Sequence, residues 1–229
     1  MASNHLRKIK DRGVNLRSMN NETYIGIDES GNGSLVGPFV VAACVLPHES
    51  KLNESHAKLI RDCKKLKGYY LEKAYNVVMN CAYYSDYIVV DLEDQAELGM
   101  HGSLQEATST LVKSARAACK LRKVVIDGEG FDRKGHQHRK DILTVKKADD
   151  IAKNVSAASI IARFRFERHI ELINDKDDVY GWSTNKGYAT PEHTKAILER
   201  GLTEHHRTTF KNFYRKLEQK HNVILLEED

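Results

Sequence analysis

The sequence predicts an α/β protein with a central mixed five-stranded sheet flanked by helices and extended by helices at its C-terminal end. Two observations predict it. Short β-branched and apolar runs alternate with longer segments of helical period, the pattern of layered α/β folds. A glycine-containing break joins the first two strand-like runs, which suggests a hairpin and therefore a sheet that is not purely parallel.

The elements follow in order. Residues 24–29 read as a strand broken at Ser30-Gly31-Asn32-Gly33. Residues 37–46 are an apolar, β-branched run and read as a buried strand. A helix is predicted over 66–81, a short strand over 87–92 and a helix over 103–119, where alanines allow close packing. Val124-Val125-Ile126 makes 123–127 a buried strand that ends in Asp127. The polar, glycine-containing stretch 128–140 is a surface loop, and a short strand ends near Val145. Residues 148–173 form a long helix, with Ile151, Val155, Ala158, Ala162 and Phe166 on one stripe. After a loop over 185–190, Thr190 and Pro191 start a helix as N-cap and first helical residue, and Gly201 closes it. A charged helix over 207–221 completes the chain.

Composition sets broad limits. The 229 residues carry 36 Lys and Arg against 32 Asp and Glu, a net charge of +4 that permits nucleic-acid binding without demanding it. Basic residues crowd the start of the chain, so residues 1–22 are read as a basic tail and 23–229 as a single catalytic domain with its C-terminal helices. Cys44, Cys63, Cys81 and Cys119 lie far apart without a C-x-x-C, which points to reduced thiols. No stretch is apolar enough to cross a membrane, and no signal-peptide pattern is present. These features predict a soluble, cytoplasmic protein that is monomeric and has no membrane partner.

Three sites carry acids that could do chemistry. Asp28-Glu29 closes the first strand. Adjacent strand side chains point to opposite faces, so both serve one site only if the strand ends or bends there, and Ser30-Gly31 is such a break. Asp127 ends an apolar strand, at the edge where α/β proteins place their sites. Glu167 lies one turn after Arg163 on the long helix. Each alone reads as a solvated acid, a turn residue or an i,i+4 surface pair. Together they offer the all-oxygen donors that hard divalent ions require. The eleven histidines show no zinc spacing; His136, His138, His205 and His206 lack a matching Cys or His at metal-ligand spacing and read as surface or substrate-side residues.

Gly26-Ile27-Asp28-Glu29-Ser30-Gly31-Asn32-Gly33 through Pro38 resembles the opening signature of the type 2 ribonucleases H, the ribonuclease HII and HIII group. Asp62-Cys63-Lys64-Lys65-Leu66 resembles that family's D-S-K-K-L, and Ile126-Asp127-Gly128 its third-acid strand. Lys147-Ala148-Asp149 followed by 157–162 resembles its K-x-D…A-A-S-I-x-A helix. Asn185-Lys186-Gly187-Tyr188-Ala189-Thr190, with His206-Arg207 and Phe210, resembles its N-K-G-Y-x-T…H-R-x-x-F. The five segments stand in the family's order over residues 24–210.

The resemblance implies a ribonuclease H-like fold and an endonuclease that hydrolyses the RNA strand of RNA–DNA hybrids, leaving 5′-phosphate and 3′-hydroxyl ends. It implies two Mg²⁺ or Mn²⁺ ions held by Asp28, Glu29, Asp127 and Glu167. It implies substrate contacts from Gly31, Asn32, Gly33, Lys64, Lys65, Lys186 and Tyr188, the tyrosine lying near the ribose, where the 2′-hydroxyl separates RNA from DNA. Three departures stand out. Asn32 replaces the arginine of G-R-G, which removes a cation from the phosphate grip and weakens the case for cutting at ribonucleotides embedded in DNA. Glu167 in place of Asp is closer to the HIII branch. Cys63 replaces a serine. Two rival readings are a non-catalytic hybrid-binding module on the same fold and an all-DNA nuclease or integrase-type enzyme.

Overall fold

The computed structural model describes residues 23–48, 52–61, 63–128, 141–174 and 178–226. The basic segment 1–22, Asp62 and the histidines at 136 and 138 lie outside the described residues. The strands are β1 (Ile25–Ser30), β2 (Phe39–Val45), β3 (Tyr84–Val90), β4 (Val124–Asp127) and β5 (Ile142–Val145). The helices are α1 (Glu54–Arg61), α2 (Tyr69–Cys81), α3 (Leu92–Cys119), α4 (Lys153–Asn174), α5 (Trp182–Asn185), α6 (Pro191–Arg200) and α7 (Lys211–His221).

The strands form the expected five-stranded mixed sheet, in the order β3-β2-β1-β4-β5. β1 pairs with β4 and β4 with β5, both parallel, with Ile27 opposite Ile126. The Tyr83 N–H bonds the Val45 carbonyl at 2.8 Å, so β3 starts beside the end of β2 and returns antiparallel. The chain divides into two compact units. The first holds residues up to 30, 41–88 and 105–164; the second holds 31–40, 89–104 and 165–229.

In the first unit, Ile25, Ile27, Val41–Val45 and Val124–Ile126 are buried, and Val155, Ala158, Ile161 and Ala162 of α4 are buried as well. Gly26 explains how closely α4 sits on β1: a Cβ there would lie 2.2 Å from the Asn154 carbonyl carbon and 2.4 Å from the Val155 nitrogen. Asn154 fixes that approach. Its amide nitrogen donates to the Tyr24 carbonyl at 2.6 Å, and its amide oxygen accepts the Leu46 N–H at 3.2 Å. One buried amide thus ties the start of α4 to the entry of β1 and the exit of β2.

Several boundaries differ from the sequence reading. The helix expected from 66 starts at Tyr69, because Gly68 takes φ 50 and separates it from a 3₁₀ turn over Cys63–Lys65. The helix expected from 148 begins as a 3₁₀ turn, Ala148–Asp150, and resumes as α4 at Lys153. α3 starts at Leu92 rather than 103, as two helical stretches joined across Gly99 with φ 69. α1 was not foreseen. Its polar sequence hides a start where the Asn53 side chain accepts the His56 N–H at 2.8 Å, with Ala57 and Ile60 as its buried face.

In the second unit, α6 starts as expected, with Thr190 Oγ1 accepting the His193 N–H at 3.2 Å and proline in the first turn. Trp182, Ile197, Tyr214, Leu35 and Val36 form its buried interior.

Candidate active site

The acid pocket lies in the first unit and follows from the strand register. Because β1 and β4 run parallel with Ile27 opposite Ile126, Asp28 and Asp127 come next at the same sheet end. Asp28 shares a strand face with Gly26, two residues back. That face is covered by α4, so Asp28 meets Ser159, one and a half turns along the helix from the Gly26 contact. Asp127 Oδ1 accepts the Ala148 N–H at 2.6 Å, which fixes the 3₁₀ turn that follows β5. That turn delivers Asp149.

Asp28, Asp127 and Asp149 each offer a carboxylate oxygen, and these oxygens all lie within 4.8 Å of one another. Asp28 is 5 % exposed and Asp149 3 %. Glu29, Cys63, Lys64, Ser159 and Arg163 line the same pocket. Glu29 thus lines the site, and β1 ends at Ser30, at the Ser30-Gly31 break that the sequence offered.

Crowding and burial push these acids upward. Burial, then the neighbouring Glu29 and Asp127, hold the Asp28 carboxyl well above the carboxylate range. Glu29 rises to about 7, through burial and then Asp127. Burial raises Asp127 too, against the bond from Ala148. Lys64 Nζ lies 3.0 Å from both Asp149 and Asp150. Burial pulls that ammonium down, but its bonds to Asp149 and Asp150 outweigh burial and hold it above the usual lysine range. The Cys63 Sγ stands 4.0 Å from Asp149 Oδ2, and burial keeps the thiol protonated. A pocket of converging, partly buried carboxylate oxygens with a neutral thiol beside it suits a hard divalent cation.

Glu167, the fourth acid expected from the sequence, lies on α4 in the second unit, half-buried, and is not a member of the group of close carboxylates. Asp149 is. The K-x-D segment of the sequence carried the signal. Counting along the A-A-S-I helix missed it, because nothing in the sequence shows that a bond from Ala148 to Asp127 turns Asp149 inward.

The expected substrate residues divide between the units. Lys64 is paired with acids, and Lys65 is exposed on the same 3₁₀ turn. Gly31, Asn32, Gly33, Lys186 and Tyr188 all belong to the second unit. There Gly31 has φ +87, and a Cβ on it would lie 2.3 Å from the Phe166 ring. A Cβ on Gly33 would stand 3.5 Å from Tyr188 Cε1, so Gly33 faces that ring. Ser34 Oγ bonds the Lys186 carbonyl at 3.3 Å, and the Leu35 N–H bonds the Gly187 carbonyl at 2.8 Å, which joins the glycine segment to the tyrosine segment. Tyr188 itself is 41 % exposed.

His206, read from the sequence as a surface or substrate-side residue, is buried and not on the surface. Its Nδ1 accepts the Thr203 N–H at 2.9 Å, so its proton sits on Nε2, which faces His193 Nε2 at 3.4 Å. His193 Nε2 also accepts the Trp182 indole N–H at 3.0 Å. The His193 proton is therefore on Nδ1 and donates to the Tyr188 carbonyl at 3.0 Å. Burial first, then the neighbouring histidines, lowers His206 to about 3, so the pair is neutral.

The model of the ribonuclease HII family matches residues 25–213, across both units. A ribonuclease HII of Orientia tsutsugamushi is 30 % identical over 192 residues, covering 83 % of this chain and 86 % of that protein. The ribonuclease H2 of Pyrococcus horikoshii superposes with a TM-score of 0.67 at 23 % identity, covering 88 % of this chain and 100 % of that one. A Bst ribonuclease HIII solved with Mn²⁺ gives a TM-score of 0.61 at 20 % identity, covering 81 % of this chain and 65 % of that one. These likenesses agree with the five-stranded mixed sheet, and the chain belongs to the ribonuclease HII family.

Proposed function

We propose that this chain is an endonuclease that hydrolyses the RNA strand of RNA–DNA hybrids, leaving 5′-phosphate and 3′-hydroxyl ends. Family membership supports the reaction. The observation that carries the assignment of the site is the convergence of Asp28, Asp127 and Asp149 carboxylate oxygens within 4.8 Å. These three acids, with Glu29, would hold two Mg²⁺ or Mn²⁺ ions. Bound there, the ions supply Lewis acidity that activates a water and supports the departing 3′-oxygen. A relative of the same fold was solved with Mn²⁺, which favours that ion as a first probe.

The chain's own groups have separable tasks. The Ala148 N–H orients the Asp127 carboxylate, and Lys64 orients Asp149. Tyr188 and the Gly31–Gly33 backbone meet the ribonucleotide, and Lys65 and Lys186 contact phosphates. Phosphate contacts position a duplex without reading its bases, so cleavage shows little sequence preference. Residues 23–229 act as one catalytic domain, since the family match spans both units. The chain acts as a cytoplasmic monomer in DNA replication and repair. Among the described residues no helix is long and apolar enough to cross a membrane.

The test compares a long hybrid, a DNA duplex with one embedded ribonucleotide, and an all-DNA duplex, each with Mg²⁺ and with Mn²⁺. Cleavage of the hybrid's RNA strand with both ions, and none of all-DNA, is the expected result. Binding without turnover would instead support the hybrid-binding module. With Asn32 replacing a cation, the embedded ribonucleotide is cut more slowly than the hybrid.

A further inference from the structure

Arg207 is 1 % exposed, and its guanidinium donates to three backbone carbonyls: Gly37 at 2.7 Å, Asn32 at 3.1 Å and Pro38 at 2.9 Å. It also stands 6.0 Å over the Phe39 ring. Among the described residues no carboxylate pairs with it. A buried cation without a counter-ion is costly, and three hydrogen bonds do not cancel its charge. All three bonds land on one segment, residues 32–38, whose other anchors are the Ser34 Oγ bond to the Lys186 carbonyl and the Leu35 N–H bond to the Gly187 carbonyl.

The bond to Asn32 has a geometric consequence. In a trans peptide the C=O and the next N–H point in opposite directions. With the Asn32 carbonyl turned inward to Arg207, the Gly33 N–H is turned outward. Gly33 is exposed, and no described group accepts from its N–H. It faces Tyr188, and no side chain at 33 blocks the approach. An outward N–H with a cation behind it is a place for an oxygen anion.

We propose that Arg207 is a positioning residue for substrate recognition: it turns the Asn32 carbonyl inward and so presents the Gly33 N–H, backed by a positive charge, to an oxygen of the nucleic-acid backbone beside Tyr188. This deepens the nuclease reading and rests on it for the identity of the ligand. It also gives the His206-Arg207 motif a task. The cation lost at position 32 is not the only one serving this segment, because the charge of Arg207 acts through the backbone.

The test uses the full chain with Arg207→Lys, Arg207→Met and Gly33→Pro. Lysine keeps the charge but not the three-point hold; methionine removes both; proline deletes the N–H and leaves Arg207 in place. Steady-state cleavage of a hybrid is read over a salt series, with hybrid binding measured by anisotropy in an Asp127→Asn background, and Mn²⁺ binding and hydrogen exchange of 31–38 and 124–127 followed in parallel. For Arg207→Lys the expected results are about a tenfold rise in KM, kcat within about threefold, faster exchange in 31–38 alone and unchanged Mn²⁺ binding. Arg207→Met should also flatten the salt dependence of KM by up to about one unit of slope. Gly33→Pro removes the N–H and also strains Asn32, since Gly33 is the third residue of the Gly31–Ser34 turn. It should raise KM by at least a similar factor, with circular dichroism checking the fold, so the test survives if the Arg207 variants do not fold. A fall in kcat and folded fraction with KM, salt slope and hybrid affinity unmoved in all variants would overturn the proposal. If the wild type binds but cuts nothing, and the variants still lose hybrid affinity, the positioning role stands and the nuclease reading falls.

Discussion

The acid pocket of the first unit and the histidine pair of the second treat ionisable groups in opposite ways. In the pocket, Asp28, Asp127 and Asp149 are brought within 4.8 Å, and neighbouring carboxylates raise one another. The nearby cation Lys64 pairs with Asp149 and Asp150 and leaves Asp28 and Glu29 uncompensated. In the second unit, His193 and His206 are just as buried, yet each ring nitrogen has a partner that fixes one neutral tautomer. Buried polar groups are normally satisfied within the protein. The pair follows that rule and builds structure; the pocket's carboxylates also have donors but more negative charge than Lys64 offsets, and that excess marks a place for a ligand of opposite charge.

The largest effect expected from this contrast is on catalysis. Asp127→Asn should lower hybrid cleavage by about a thousandfold, with folding intact in a urea melt, because removing one crowded anion relieves repulsion. Retained activity would end the comparison. The next sharpens the acid set. Asp149→Asn should weaken Mn²⁺ binding and cleavage by about a hundredfold, while Glu167→Gln should change both by less than about threefold. Calorimetric titration and a cleavage assay decide it, and the reverse ranking would restore Glu167 to the site.

In the second unit the expected effect is on stability. His193→Leu leaves the Trp182 indole N–H and the His206 Nε2–H unpaired and removes one of the two bonds to the Tyr188 carbonyl, and should cost about 2–4 kcal/mol. Urea unfolding followed by fluorescence of Trp182, the single tryptophan, reads it directly.

The smallest effect concerns pH. Asp28, Glu29 and Asp127 all titrate above their ordinary values in the folded protein, Glu29 at about 7. Groups with a raised folded pKa contribute stability that is whole below the unfolded value, about 4, and is lost as pH rises through the folded one. The metal-free protein should therefore lose stability between about pH 4 and 7 through these acids. Saturating Mn²⁺ should raise Tm by about 5–10 °C at pH 8 and by less than half of that at pH 5. An equal rise at both pH values would show that these acids do not hold the ion. His206 works against that trend: neutral in the fold down to about 3 but protonated below about 6.5 when unfolded, it makes stability rise with pH between those values.

Much of this was legible in the chain. The five strands follow from local apolar runs, and the α6 start from Thr190-Pro191, because strand burial and helix capping depend on neighbours in sequence. Asp28, Glu29 and Asp127 were legible as acids ending strands. Asp149 was not chosen, since its place depends on a bond between Ala148 and a residue 21 positions away. His206 read as a surface or substrate-side histidine because its partners, the Trp182 ring of α5, His193 of α6 and Thr203, are gathered only by tertiary structure.

The sequence by itself determined which segments become strands and helices and which residue types are available for chemistry, since period, capping and turn preference are properties of short stretches. Tertiary structure alone decided which carboxylate completes the pocket, which histidines are neutral and where Arg207 sends its three bonds. Those outcomes depend on distances between residues far apart in the chain, and burial and charge act through space.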